Sequence, residues 1–256
     1  MKTCLSSALL LAALLLATPS WGAVSSEDVL LKAQAANEDL YSALQSFVCL
    51  EQINRYQGRL DGRTAHVVDT VTANLSFENG VEHYSEIRQN GHGRGSISSL
   101  AGAWSEGEFG TLLRQTEKLL ALQPVSFEAF TDLDGTPAAI YSFDVSEQDS
   151  PWDFMVGGHH YRLPFRTDVW ISTSTAEILK IARASLSVPP QTRISEVDWA
   201  VTLEPVALND KQWLLPKTGA YAVLYQQSNR REWNVMNFSN YRRYGAEVAL
   251  RFEGAQ

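Results

Sequence analysis

The sequence predicts an α+β, β-rich fold: an incomplete antiparallel β-barrel of about 9–11 strands wrapped over an N-terminal helix and a middle helix. Three observations predict it. Two segments carry an apolar stripe at helical spacing. Nearly all the rest is rich in β-branched and aromatic residues. Turn dipeptides punctuate those runs roughly every ten to fifteen residues, which is the rhythm of an antiparallel meander. A sheet of that size curls because twist accumulates from strand to strand, and the striped helices can then lie against its inner face.

The segment 1–22 stands apart from this plan. Lys2 precedes an apolar run from Ala8 to Ala17, followed by Pro19, Ser20 and Gly22. That is the layout of a secretory signal peptide with cleavage near Gly22. The run is too short for a retained bilayer span, which needs roughly 20 apolar residues. Cys4 lies before the run and so is no lipid-attachment cysteine. Residues 23–256 are expected to form one exported domain, periplasmic or secreted and soluble once cleaved.

Charge and cysteine content narrow the function classes. The 256 residues carry a formal charge of −8, and Lys2 is the only charge in the leader. An acidic chain is a poor nonspecific nucleic-acid binder, because such binding is driven by phosphate neutralisation. Cys49 is the sole cysteine after the leader, so no intrachain disulfide can form. It sits in SFVCLEQI among apolar neighbours and is expected to be a buried, inert thiol.

The first helix opens at Ser25 or Ser26, with Glu27 and Asp28 favouring the positive end of its dipole. Val29, Ala33, Ala36, Leu40 and Leu44 form its stripe. After Phe47 the period changes. Asn79-Gly80 then sits between two strand-like runs, a strong hairpin signal because both residues tolerate positive φ. The middle helix follows in EFGTLLRQTEKLLALQP, with Phe109, Leu112, Leu113, Thr116, Leu119 and Leu120 on one face and Pro124 at its end. The second half reads as strands, turning at Asp134-Gly135 and Asn209-Asp210 and continuing to AEVALRFEG near the C-terminus.

This element order resembles the periplasmic lipoprotein-carrier (LolA-like) superfamily. The resemblance is carried by the helix behind a leader, the hairpins, the middle helix, and DVWISTSTAEILKIARASL followed by VTLEPVALNDKQWLLP. The stretch from about Asp168 to Phe252 is also similar to a set of exported bacterial proteins, through Val169-Trp170-Ile171, Trp213-Leu214-Leu215-Pro216 and Asn237-Phe238-Ser239-Asn240-Tyr241-Arg242-Arg243. The resemblance implies a half-barrel around an apolar cavity. Its motifs are structural and transfer no catalytic or ligand residue.

Candidate sites are few. His159 and His160 follow Gly157-Gly158, but neighbours in one strand point to opposite faces and could not share a metal. They are weak metal candidates, with Asp153 the nearest acid, and no HExxH or CxxC accompanies them. Gly91, Gly93 and Gly95 with Arg94 could form an anion nest but fit a loop better. No GxSxG elbow occurs. Glu106/Glu108 and Asp132/Asp134 read as solvated loop acids, and Arg230-Arg231 and Arg242-Arg243 as an exposed edge or rim. The sequons at Asn74 and Asn237 read as chance matches. Tryptophans fall mostly at alternating strand positions, so they serve either a core or an apolar cavity.

These features point to a non-enzymatic exported protein that needs no cofactor and binds a lipid or acyl chain, with Trp170, Trp199, Trp213 and Trp233 as cavity candidates. Two alternatives stand beside it: an envelope sensor docking another protein through an edge strand near the C-terminus, and a metal-assisted hydrolase using His159 and His160.

Overall fold

The computed structural model describes residues 25–44, 47–60, 64–208, 210–226 and 228–243. The leader, Asn209 of the Asn-Asp turn and the final AEVALRFEG run lie outside the described residues.

Helix α1 spans Ser26–Leu44 and α2 spans Thr111–Leu122. On α1 the stripe behaves as its spacing requires: Val29, Ala33, Leu40 and Leu44 are buried, whereas Leu31 is exposed. Asn37 lies buried on the same side. Its side chain donates to the Ala33 carbonyl (2.5 Å) and the Ala176 carbonyl (3.2 Å) and accepts from the Ile178 amide (2.8 Å). A buried amide side chain with all these partners pins the helix to the sheet rather than costing stability.

The strands are β1 (Phe47–Arg59), β2 (His66–Glu78), β3 (Val81–Gln89), β4 (His92–Gly93), β5 (Ser126–Leu133), β6 (Thr136–Val145), β7 (Asp153–Val156), β8 (His159–Arg162), β9 (Phe165–Ser172), β10 (Ile178–Ser185), β11 (Ile194–Leu208), β12 (Lys211–Tyr225) and β13 (Arg230–Arg243). Eleven of them form one sheet in the order β4-β3-β2-β1-β13-β12-β11-β10-β9-β6-β5, and β7 and β8 form a separate hairpin. All pairings are antiparallel, and the sheet is not closed into a barrel. Strand β1 is one that the β-branched pattern does not announce, since FVCLEQINRYQGR is mostly polar outside its alternate positions.

The predicted docking edge is corrected here. β13 is paired on both sides, to β1 and β12, so the last described strand is interior. Arg230, Arg231, Arg242 and Arg243 therefore belong to a central strand. Among the described residues the outer strands are β4 and β5. The reason is topological: the last described strand returns beside the first, and no local pattern encodes which strand it meets.

Alternation sorts the sheet into two faces. Directly opposed residues share a face, so the registers define rows that run across the strands. One row of the helix-covered face is apolar: Tyr141, Val169, Ile181, Val201, Gly219, Met236, Ile53 and Val71. The next row on that face is Thr167, Arg183, Trp199, Tyr221, Asn234, Arg55 and Asp69. It is polar and aromatic, yet buried. At one end Arg55 grips Asp69 through Nε (2.6 Å) and Nη2 (2.5 Å). Burial works against ionisation of Asp69, but the hydrogen bonds from Arg55 and Gln89 outweigh it and hold the carboxyl below its usual range.

Helix α2 starts without a side-chain cap of its own. Glu82, projecting from β3, supplies one: Oε1 accepts from the amides of Phe109, Gly110 and Thr111 at 2.9–3.1 Å, and Oε2 from the Gly107 amide at 3.0 Å. Gly110 is required there, since a Cβ would meet the Phe77 ring at 2.9 Å. This tertiary cap fixes the loop before α2, and with it one wall of the site.

Candidate functional site

A cavity of about 570 Å³ opens beside the polar row. Its walls come from the loop Gly102–Glu106, the first turns of α2 (Thr111 and Gln115), the segment Pro151–Gly158 with His160, and the β11–β12 surface (Ile194, Trp199, Tyr221, Val223 and Tyr225). That volume lies within the ~300–1,000 Å³ range of small-molecule sites. Six aromatic side chains stand in the walls, Trp104, Trp152, Phe154, Trp199, Tyr221 and Tyr225, beside polar ones that include Glu106, Gln115 and Asp153.

Each wall is held by a specific contact. The loop is tied to the sheet by Glu232, whose Oε2 accepts from the Ala103 amide (2.8 Å), and by Asn234, which donates to the Ala103 carbonyl (3.1 Å). Trp199 donates from Nε1 to Glu108 Oε1 (2.8 Å), and Ser105 donates to the same oxygen. The Trp152 ring lies 6.0 Å from that of Trp199 and edge-on to Phe165 at 5.7 Å. Ser150, just before Trp152, donates to the Leu163 carbonyl (2.5 Å), which closes the base of the hairpin.

Behind this wall lie charges with unusual surroundings. Glu108 is 1% exposed. Burial and the nearby charge of Glu82 push its carboxyl up to about 7, and its Oε2 has no partner among the described residues. Glu51, equally buried, is raised well above the usual carboxylate range by burial and by Glu108. The expectation of a solvated Glu108 is thus overturned. The cause is the loop before α2, which folds back over Gly219, leaving Cγ of Glu108 only 3.4 Å from where a Cβ on that glycine would stand. Glu106, its neighbour, remains exposed. Cys49 is buried, and burial pushes its thiol upward, as for an inert thiol.

Of the four tryptophans expected to line a cavity, Trp199 is among the residues around this one. Trp170 is half-buried on the opposite face of the sheet, opposite Ile140 and Lys180, with the Lys180 ammonium 4.6 Å from its ring centre. Trp233 also sits on that face, stacked on Tyr56 at 5.4 Å. Trp213 lies at the other end of the covered face, edge-on to Phe47 at 5.2 Å and near Arg243. Alternation separates Trp170 from Val169 and Ile171, but which face the helices cover is set by packing. Trp104 and Trp152 were missed as wall residues. Their signal was the turn-forming context, GAWSEG and SPWDF, which puts an aromatic on a loop at the mouth of a sheet.

The histidines lie in β8. His159 is opposite Val156 and His160 opposite Met155, so they diverge. His160 Nδ1 meets Asp153 Oδ2 at 2.8 Å, exposed to solvent. Among the described residues no three His, Cys, Asp or Glu side chains converge in a way that could hold a metal. Nor is there a glycine nest: of Gly91, Gly93 and Gly95 only Gly91 has positive φ, and Arg94 turns instead to Gln89 (2.8 Å).

No protein-family model matches the chain, and no curated protein matches it. Among solved structures it is similar to a domain described as outer membrane lipoprotein-sorting, from Vibrio parahaemolyticus, at 10% identity and TM-score 0.42, over 88% of this chain and 96% of that one. It is similar at 11% identity and TM-score 0.42 to a DUF1329 family protein from Desulfovibrio piger, over 88% and 94% of the two chains. For the Mycobacterium tuberculosis lipoprotein LppX the values are 11%, 0.27, 85% and 96%.

Proposed function

We propose that this chain is an exported, non-enzymatic binding protein that holds an apolar ligand, a lipid or acyl chain, in the cavity beside Trp199. The observation that carries the proposal is the cavity itself, of about 570 Å³ and framed by Trp104, Trp152 and Trp199. Indole rings give a large apolar contact area at small entropic cost, and their N–H groups can still find partners, as Trp199 does with Glu108. Among the described residues no helix is long and apolar enough to cross a membrane. Export follows from the leader-like segment 1–22. The sequence-level resemblance to lipoprotein carriers supports the same ligand class.

Two measurements test the proposal. Native mass spectrometry after gentle purification is expected to show a co-purifying lipid, and a fluorescent acyl probe is expected to bind with quenching of tryptophan emission. Trp199→Ala should weaken the probe at least about tenfold, the equivalent of losing ~1.4 kcal/mol of contact. An apo mass together with no probe uptake would end the proposal.

A further inference from the structure

The acidic and basic side chains that line the cavity are unequally matched. Glu106 stands in the loop wall and Asp153 in the hairpin wall, and among the described residues neither a lysine nor an arginine lines it. His160 is a lining residue too, and it meets Asp153 at 2.8 Å. Glu106 makes no ion pair among the described residues. Three more carboxyl groups stand just behind the lining: Glu82 accepts from the Thr111 amide, Glu108 from Trp199 and Glu232 from the Ala103 amide. Against them stand three guanidinium groups that are not lining residues. Arg183 is 2% exposed and sealed behind Trp152 and Trp199. Arg230 pairs with Glu232 and covers the Tyr225 ring. Arg162, opposite Asp153 in the hairpin, turns to the Gln148 carbonyl at 3.4 Å. Five carboxyl groups therefore face three guanidinium groups, and only carboxyls reach the cavity surface, so the potential inside it is negative.

The rings supply the other half of what a cation needs. The face of an indole attracts a cation within about 6 Å of its centre. The protein shows this arrangement on its opposite face, where the Lys180 ammonium stands 4.6 Å from the centre of the Trp170 ring. In the cavity walls Trp152 and Trp199 already adjoin Arg183, and Tyr225 adjoins Arg230. Trp104 differs from them. It is half-buried, lines the cavity, and takes part in none of the ring–ring or ring–cation contacts found among the described residues. It precedes Glu106 by two residues on a loop that Glu232 and Asn234 hold at Ala103. An indole without a cation and a carboxylate without an ion pair thus share one anchored wall.

We infer that the cavity takes an amphiphile with an ammonium head, the cation held by the Trp104 ring and the Glu106 carboxylate, with Asp153 on the hairpin wall adding to the attraction. The inference rests on the cavity-binding reading above and adds the headgroup to it. The hydrocarbon chain lies against the remaining rings of the walls. An anionic head is disfavoured, because each carboxyl around the cavity opposes a further negative charge. Ammonium heads belong both to long-chain amines and to choline-type lipids, and the ammonium is the chemistry the two share.

The experiment is a calorimetric titration of the purified protein at neutral pH and low salt, with decyltrimethylammonium, decylphosphocholine, decanol and decanoate below their micelle concentrations. Decyltrimethylammonium should bind at least about tenfold more tightly than decanol, and decanoate more weakly than decanol. Decylphosphocholine tells the two sources apart: affinity equal to that of the ammonium fits a choline-type lipid, and affinity near that of the alcohol fits a long-chain amine. Glu106→Gln combined with Asp153→Asn alters two exposed side chains, so the variant should fold. It should bind decanol as before and lose most of the preference for the ammonium. Glu86→Gln combined with Asp134→Asn removes the same charge from exposed positions that do not line the cavity, and should keep that preference. Trp104→Leu should weaken the ammonium more than the alcohol, and an equal loss for both removes Trp104 from the head site. Equal affinity for ammonium, alcohol and carboxylate in the unmodified protein overturns the inference while leaving the cavity reading standing. So does a preference that survives the Glu106/Asp153 variant, or one lost equally in the Glu86/Asp134 variant, which would trace it to the net charge of the whole chain. Binding of none of the four removes both readings.

Discussion

Replacing Glu82 by alanine tests whether the wall of the site is held by a cap borrowed from the sheet. Its carboxylate serves four backbone amides, those of Gly107, Phe109, Gly110 and Thr111, at 2.9–3.1 Å, and it also accepts from the Tyr84 hydroxyl at 2.6 Å. Gly107, Phe109 and Gly110 are buried, so water cannot fully replace the lost acceptor. A hydrogen bond to a charged group contributes about 1.5–3 kcal/mol, but several donors share two oxygens and Glu82 itself is half-exposed, so the contributions do not add. A total of about 2–4 kcal/mol follows, including the loss of a negative charge at the positive end of α2. Glu82→Gln keeps an oxygen for the amides but not the charge, and should cost about 1–1.5 kcal/mol. Urea unfolding followed by tryptophan emission reads both values from the midpoint at constant slope. Probe affinity should fall in parallel for alanine, because Thr111, Gln115 and the loop Gly102–Glu106 are placed by this cap. If Glu82→Ala stays within about 0.5 kcal/mol of the parent, the range of an uninvolved surface change, or if the two variants are equally destabilised, the cap is not what holds the wall.

Three further outcomes are expected. Glu108 has its folded carboxyl raised from 4.5 to about 7, so the folded state holds a proton that the unfolded state has released; this stability is present below about 4.5 and lost as pH rises through about 7. The urea midpoint should therefore fall between pH 5 and pH 8, with a smaller fall in Glu108→Gln; a midpoint that rises over that interval would contradict the assignment. Asp69→Ala leaves Arg55 buried without its carboxylate and should cost about 3–5 kcal/mol in the same assay, whereas a cost under about 1 kcal/mol would mean that water reaches the guanidinium. Trp170→Ala removes a half-buried ring on the face away from the cavity and should cost under about 2 kcal/mol while leaving probe affinity unchanged; a tenfold loss of affinity would place the site on the wrong face.

The sequence by itself determined those features that depend on near neighbours along the chain. The stripes of α1 and α2, the turns at Asn79-Gly80 and Asp134-Gly135, and the alternation that divides Val169 and Ile171 from Trp170 are all local, because side-chain periodicity and φ preference act over a few residues. Divergence of His159 and His160 was legible for the same reason. The tertiary structure alone decided what depends on residues far apart in sequence. The return of β13 to β1 made an interior strand of an expected edge. The fold-back before α2 buried Glu108, which looks like a loop acid in its own surroundings. The row Arg183–Trp199–Tyr221–Asn234–Arg55 draws one residue from each of five strands, and no two of them are near neighbours along the chain. Register across a sheet is set by the summed packing of both faces, and only that sum brings Trp199 and Tyr221 to the wall of one cavity.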